Sequence, residues 1–216
     1  MTQESILNVH EIFFSVQGES SWMGFPCVFV RLSGCKHGCR WCDTPYARKS
    51  GHPMTIPQVL GRIASYKVGL VEVTGGEPLE QEAVYPLMRA LIKTGYRVLL
   101  ETNGSIDISR VPRKVVKIID VKCPSSGRER RNLWSNLQRM ASEDEIKFVI
   151  RDKKDYRFAK RAINQHQLAS RRILFSPLHG RLDARRLAEW IMKDRLTVRL
   201  QIQLHKYLWG PKSVGR

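Results

Sequence analysis

Runs of β-branched and aromatic residues alternate with stretches of helical periodicity, and this alternation is what most restricts the fold of the chain. Ile6–Phe14, Cys27–Leu32, Leu70–Thr74, Tyr96–Glu101, Val115–Val121, Ile146–Ile150, Ile173–Phe175 and Val198–Leu204 read as strands. Between them, Thr55 is placed to cap a helix carrying Pro57, Val59, Leu60 and Ile63. Val84, Leu87, Met88 and Leu91 repeat at helical spacing within Glu80–Thr94, which Gly95 closes. Asn132–Ala141, Lys154–Ile163 and a segment from Asp183 to about Lys193 also read as helices. Strands that alternate with helices imply parallel β-α units. The 216 residues accommodate about six such units, too few for a closed eight-fold barrel. The expectation is an α/β fold: a partial, open β/α barrel of about six parallel strands with flanking helices, one domain over residues 1–216.

In such folds function gathers in the loops that follow the strands. Here those loops are the cysteine-bearing run Gly34–Thr44, Gly75–Pro78, Thr102–Gly104, Lys122–Gly127 and Ser176–Gly180. The first carries Cys35, Cys39 and Cys42 in a C-x3-C-x2-C pattern with no fourth cysteine just beyond. A structural zinc site or a pure electron-transfer cluster takes four protein ligands. Three thiolates can instead hold a cubane iron–sulfur cluster with one iron open to another ligand. The spacing alone leaves two other readings: a zinc knuckle completed by His37 or Cys27, and a redox trio or chance clustering.

Five cysteines, three of them clustered, are not a disulfide framework and point to a reducing cytoplasm. No apolar run reaches membrane-spanning length, and Met1–Ser5 lacks the basic start and apolar stretch of a signal peptide. The formal net charge of +17 is lopsided. Residues 1–109 hold 10 basic and 10 acidic side chains, and residues 110–216 hold 27 and 10. Aromatic residues are not interleaved with the basic ones as a stacking platform requires. A solvated basic face is therefore favoured over nonspecific nucleic-acid contact.

The cysteine loop, with Trp41 before its last cysteine and Gly75-Gly76-Glu77-Pro78 some thirty residues later, resembles the radical S-adenosylmethionine superfamily. Further motifs are similar to those of the 7-carboxy-7-deazaguanine synthases. These are Glu11-Ile12-Phe13 with Gln17-Gly18-Glu19, Phe29-Val30-Arg31 leading into Gly34-Cys35, Cys42-Asp43-Thr44, Glu101-Thr102-Asn103-Gly104, and His205-Lys206-Tyr207. They run from residue 11 to residue 207, nearly the whole chain. Two other readings lack support from these outer motifs: a small glycyl-radical activase, and a zinc-containing RNA-binding module.

The resemblance implies a 4Fe-4S cluster on Cys35, Cys39 and Cys42, and S-adenosylmethionine on the open iron. One electron then cleaves the sulfonium to a 5′-deoxyadenosyl radical that abstracts hydrogen. It implies conversion of 6-carboxy-5,6,7,8-tetrahydropterin to 7-carboxy-7-deazaguanine with loss of ammonia, on the route to deazapurine bases of tRNA. A magnesium ion assists, contacted by Thr44. Val16, Gln17 and Gly18 would hold the pterin edge, Arg31 its carboxylate, and Thr74, His205 and Pro211 would also meet substrate. Gly76, Glu101, Asn103, Cys123, Pro124, Ser125 and Ser176 would meet the nucleotide. Where relatives often read Ser-Pro-Lys, this chain has Cys123-Pro124-Ser125, and its tail continues past Pro211. Gly75 and Gly76 would let backbone groups approach the cofactor. An electron donor such as flavodoxin or ferredoxin, and a homodimer, are also implied.

Overall fold

In the computed structural model, which describes residues 5–211 and 213–215, one nine-stranded sheet organises the chain. The strands are β1 (Ile6–Val16), β2 (Pro26–Leu32), β3 (His52–Thr55), β4 (Leu70–Gly75), β5 (Arg97–Thr102), β6 (Val116–Asp120), β7 (Glu145–Ile150), β8 (Arg172–Pro177) and β9 (Arg199–Leu200). Their order is β3-β1-β2-β4-β5-β6-β7-β8-β9. From β2 to β9 every pairing is parallel, and β9 is a two-residue stub beside six full strands. The sheet remains open. β1 and β3 extend it on one side as antiparallel strands, with Phe13 opposite Phe29.

The helices are α1 (Ile56–Ala64), α2 (Val84–Lys93), the single turn α3 (Ser135–Gln138), α4 (Lys153–Gln165), α5 (Ala184–Lys193) and α6 (Leu204–Trp209). Three have side-chain caps. Thr55 accepts from Gln58 N while Gln58 Oε1 accepts from Thr55 N. Asp152 and Asp183 cap α4 and α5. Each such cap stabilises by about 1 kcal/mol.

Strand parity divides the sheet into two faces. Val28, Val30, Leu32, Val71, Val73, Val98, Leu100, Ile146 and Phe148 pack against Val59, Ile63, Leu87, Met88, Leu91, Tyr156 and Leu187 of the helices. The alternate residues turn into the half-barrel. At its floor these are Cys27, Phe29, Leu70, Leu99, Val116 and Ile118, with Phe13 and Trp22. One step along the same strands toward their C-terminal ends come Arg31, Glu72, Thr74, Glu101, Asp120 and Lys147. The apolar floor excludes water and the polar upper layer makes a site.

Several boundaries differ from the sequence expectations. α2 starts at Val84, not Glu80, because Pro78–Glu80 forms a 3-10 turn whose Leu79 N donates to the Glu77 carboxylate. The expected helix Asn132–Ala141 shrinks to α3. Asn132 is diverted to pair with both backbone groups of Lys122, and Asn136 to the carbonyls of Gly104 and Ile106. The expected last strand Val198–Leu204 pairs only at Arg199–Leu200, and Leu204 opens α6 instead. β3 contains Pro53, which an edge strand tolerates. Among the described residues no helix is long and apolar enough to cross a membrane.

Candidate active site

The loops after β2, β4, β5 and β6 converge on one cleft at the C-terminal edge of the parallel sheet, enclosing about 1210 Å³ including its open mouth. Cys35, Cys39 and Cys42 all border it. Cys27 and Cys123 are fully buried elsewhere, Cys27 in the barrel floor. Among the described residues no three His, Cys, Asp or Glu side chains stand close enough to hold a single metal ion. A closed zinc site needs four ligands. Three thiols on one cavity wall, with the remaining cysteines buried away from it, fit a cluster that leaves one iron open.

The glycine pair at the end of β4 is required by the protein's own backbone. Gly75 has φ +140°, and a Cβ there would lie 2.1 Å from the Leu32 carbonyl oxygen. A Cβ on Gly76 would lie 1.9 Å from the Gly34 oxygen, immediately before Cys35. The expected reason for these glycines was an approach to the cofactor; the structure supplies a nearer one, the close packing of the β4 loop on the cysteine loop. Two backbone bonds join them, Gly76 N to Leu32 O at 2.9 Å and Glu77 N to Gly34 O at 2.8 Å. Glu77 is fully buried and accepts from Thr102 Oγ1 (2.8 Å), Asn103 N (2.7 Å) and Leu79 N (3.1 Å). Burial pushes its carboxyl up to about 7 against these three bonds. Glu77 thus fixes the β5 loop to the β4 loop, and Asn103 Nδ2 reaches the Cys35 sulfur at 4.0 Å.

These geometric features coincide with what sequence comparison finds. Residues 29–124 match the family model of the radical S-adenosylmethionine superfamily. The 7-carboxy-7-deazaguanine synthase of Chlorobaculum tepidum is 47% identical over 219 residues, covering 100% of both chains. That of Koribacter versatilis is 42% identical, covering 97% of this chain and 100% of the relative. The chain belongs to the 7-carboxy-7-deazaguanine synthase family. Its fold matches the crystal structure of QueE from Escherichia coli with a TM-score of 0.76 at 24% identity, over 93% of this chain and 95% of that one. As a radical S-adenosylmethionine enzyme, it requires a 4Fe-4S cluster and S-adenosylmethionine.

The cleft also collects Val16, Gln17, Gly18, Arg31, Thr44, Thr74, Gly76, Glu101, Asn103 and His205. Gln17 is almost wholly buried and already engaged. Its backbone closes a turn with Gly24 and Phe25, its side-chain Oε1 accepts from Glu19 N, and its side-chain Nε2 donates to Glu72. Arg31 Nε pairs with Glu11 at 2.8 Å, the guanidinium lies over the Phe13 ring, and the side chain lines the cleft. The Thr44 side chain makes no cap bond to the 3-10 turn Pro45–Arg48 that follows. The α6 segment straps over the far side. Leu204 N donates to Gly18 O, Lys206 pairs with Asp43 at 2.9 Å, and His205 packs on Gly18.

Five expected site residues lie outside the cleft wall. Cys123 is fully buried. Ser125 is committed to a chain in which Trp41 Nε1 donates to its Oγ (3.0 Å) and that Oγ donates to Asp155 (2.5 Å), so it anchors the cysteine loop to α4. Pro124 faces a separate hollow, Ser176 is buried within β8, and Pro211 is exposed beyond α6.

Sequence reading missed the ionic network in the polar layer of the cleft. Lys147 Nζ contacts Glu19 at 2.7 Å, Glu101, and Asp120 at 3.8 Å, and Lys122 contacts Asp120 at 2.7 Å. Burial works against the Lys147 charge, but Glu101, Glu19 and Asp120 outweigh it and hold the ammonium well above its usual range. Among the described residues no cation forms an ion pair with Glu72. Burial, with Glu101 and Glu19 nearby, pushes it up to about 8, so it is largely protonated at neutral pH. The signal was available, since single charged residues in Leu70–Thr74 and Ile146–Ile150 must be satisfied inside a buried strand. Arg48 was missed as well. It lines the cleft, and its Nε and one Nη are buried without a hydrogen-bond partner among the described residues. A guanidinium so placed lacks an anion.

Proposed function

We propose that this chain, acting as a single domain, converts 6-carboxy-5,6,7,8-tetrahydropterin to 7-carboxy-7-deazaguanine with release of ammonia, in deazapurine biosynthesis. The observation that carries the reading is one cleft bringing the three cysteines together with Val16–Gly18, Arg31, Thr44, Thr74 and His205. Cys35, Cys39 and Cys42 would hold the cluster and Gly76, Glu101 and Asn103 the S-adenosylmethionine, which together would supply a carbon radical for hydrogen abstraction. The chain's own residues do the rest.

Substrate lies in the cleft beside the β1 turn and the α6 strap, which are joined at Gly18. Its carboxylate meets the free nitrogens of Arg31 and Arg48, whose planar forks suit two oxygens. Gln17, fixed by Glu72 and Glu19, presents a rigid edge to the pterin and spares the ordering cost of a mobile amide. Protonated Glu72 adds no negative charge beneath the ring. The free Thr44 hydroxyl and a substrate oxygen suit a magnesium ion, which prefers oxygen ligands and keeps several waters. The resemblance also supports a cytoplasmic homodimer reduced by a flavodoxin or ferredoxin. Ser125 acts at one remove, by tying the cysteine loop to α4.

Anaerobic incubation of the iron-loaded protein with carboxypterin, S-adenosylmethionine, magnesium and dithionite, followed by mass analysis, tests this directly. The expected product is 7-carboxy-7-deazaguanine with one equivalent of ammonia. Turnover of a different pterin but not this one would refute it.

A further inference from the structure

A second hollow abuts the cysteine loop and shares no lining residue with the cleft. Arg40, Arg128, Arg130, Arg131 and Lys154 line it, with Glu129 as its one acid. The loop forms part of both walls. Cys39 and Trp41 border the cleft, and Arg40, between them in sequence, borders the hollow. The basic segment is bonded to the loop at three points. Arg128 Nε donates to Gly38 O at 3.2 Å, Arg131 Nη1 donates to Lys36 O at 3.2 Å, and Arg40 N donates to Ser126 O at 3.1 Å. Two of these carbonyls, on Gly38 and Lys36, belong to the residues next to Cys39 and Cys35.

None of these five cations forms an ion pair among the described residues. Folding brings like charges together here with no internal compensation, an arrangement that favours an acidic partner and speeds its approach. The reaction assigned above needs an electron from outside while nucleotide and substrate occupy the cleft. It therefore needs a second approach to the cluster, and the hollow is where the loop is reached without crossing the cleft.

We propose that the Arg40–Arg128–Arg130–Arg131–Lys154 face is the docking surface for an acidic one-electron carrier protein that reduces the cluster through the cysteine loop. One electron leaves the carrier's reduced prosthetic group and enters the oxidised cluster. The carrier is oxidised by one electron, the cluster is reduced by one, and no proton or group is transferred. RNA is the less suitable occupant, because no aromatic side chain lines the hollow to stack a base and recognition of phosphate would not require bonding to the cysteine loop. This inference rests on the radical chemistry of the preceding section.

The test is the double variant Arg130→Glu with Lys154→Glu, neither of which bonds the cysteine loop, made in the iron-loaded full chain. Anaerobic calorimetry with an acidic flavodoxin should show Kd raised at least about tenfold at low salt, with the salt dependence of log Kd flattened. The rate at which reduced flavodoxin bleaches the cluster absorbance should fall at least about as much. Iron content and dithionite-driven turnover should stay at wild-type levels, and Arg130→Lys with Lys154→Arg should retain carrier binding. Unchanged Kd and bleaching rate would overturn the proposal. So would equal losses with flavodoxin and dithionite, or a loss seen only in retention of tRNA. Failure of dithionite turnover in the unmutated protein would instead count against the assigned reaction, since the Kd measurement does not depend on it.

Discussion

His205 rests directly on Gly18: a Cβ on that glycine would lie 2.1 Å from the imidazole Nδ1 and 3.0 Å from the histidine's own Cβ. The second distance matters more, because no rotation of the ring relieves it. Only displacement of α6 would. That helix carries Lys206, which pairs with Asp43 directly after Cys42, so the contact couples the substrate side of the cleft to the cluster side. Gly18→Ala is expected to lift the strap, raising KM for the carboxypterin about tenfold and costing about 1–3 kcal/mol of stability. Steady-state kinetics beside a thermal melt check it, and an unchanged KM would mean that α6 does not shape the substrate site.

Gly76→Ala should be more severe. Its Cβ would meet backbone, the Gly34 oxygen at 1.9 Å, with no flexible atom to move aside. The cysteine loop would be pushed off β4. Iron bound per chain after anaerobic reconstitution is expected to fall by more than half, whereas Gly61→Ala on α1, where the space is open, should load normally.

Lys147 is buried and is the common partner of three carboxylates, Asp120 buried and Glu19 and Glu101 half-buried. Lys147→Met would leave Glu19, Glu101 and Asp120 facing one another without a neutralising charge, at a cost of about 3–5 kcal/mol. Denaturant unfolding should show this, with part of the loss recovered when Glu101→Gln is added. Additive losses in the double variant would contradict the shared-charge reading.

The buried Glu72 gives stability a pH dependence whose sign is fixed. Its folded pKa, about 8, lies above the ordinary 4.5, because burial and then Glu101 and Glu19 oppose ionisation. The folded state therefore binds more protons than the unfolded one between those values, and the slope of stability with pH is negative. The contribution is intact below about 4.5 and is lost as pH climbs through about 8. Glu72→Gln removes the titration, so its melting temperature should decline less than wild type between pH 6 and about 9. Parallel curves would show that Glu72 is ionised in the folded protein.

Arg48 offers the opposite balance. Its unpartnered nitrogens are an expense to the free protein and an asset to a bound carboxylate. Arg48→Met is expected to leave the melting temperature of the ligand-free protein unchanged or raised, while weakening the carboxypterin about tenfold in equilibrium binding. A destabilised ligand-free protein with normal binding would assign Arg48 to the fold.

How far the sequence disclosed all this depends on the range of the interaction. Strand parity is local, and Leu70–Thr74 and Ile146–Ile150 were visible as buried strands within a residue of their ends. The cysteine loop and the Gly75-Gly76-Glu77 turn were visible because their chemistry restricts residue type. What escaped was set by contacts between distant segments. Asn132 and Asn136 look like helix residues until Lys122 and Gly104 are seen beside them. Leu204 continues an apparent strand until Gly18 takes its amide. Ser125 looks free to bind a ribose until Trp41 and Asp155 claim its hydroxyl. Two partners of Lys147, Glu19 and Glu101, lie 128 and 46 residues away, and no spacing rule reaches that far.

The account depends above all on three sulfurs and an open iron. Mössbauer spectroscopy of anaerobically iron-loaded protein, before and after addition of S-adenosylmethionine, reads that coordination directly. One iron in four should change its isomer shift when the nucleotide binds, while the other three, on Cys35, Cys39 and Cys42, do not. Four irons indifferent to the nucleotide would contradict it.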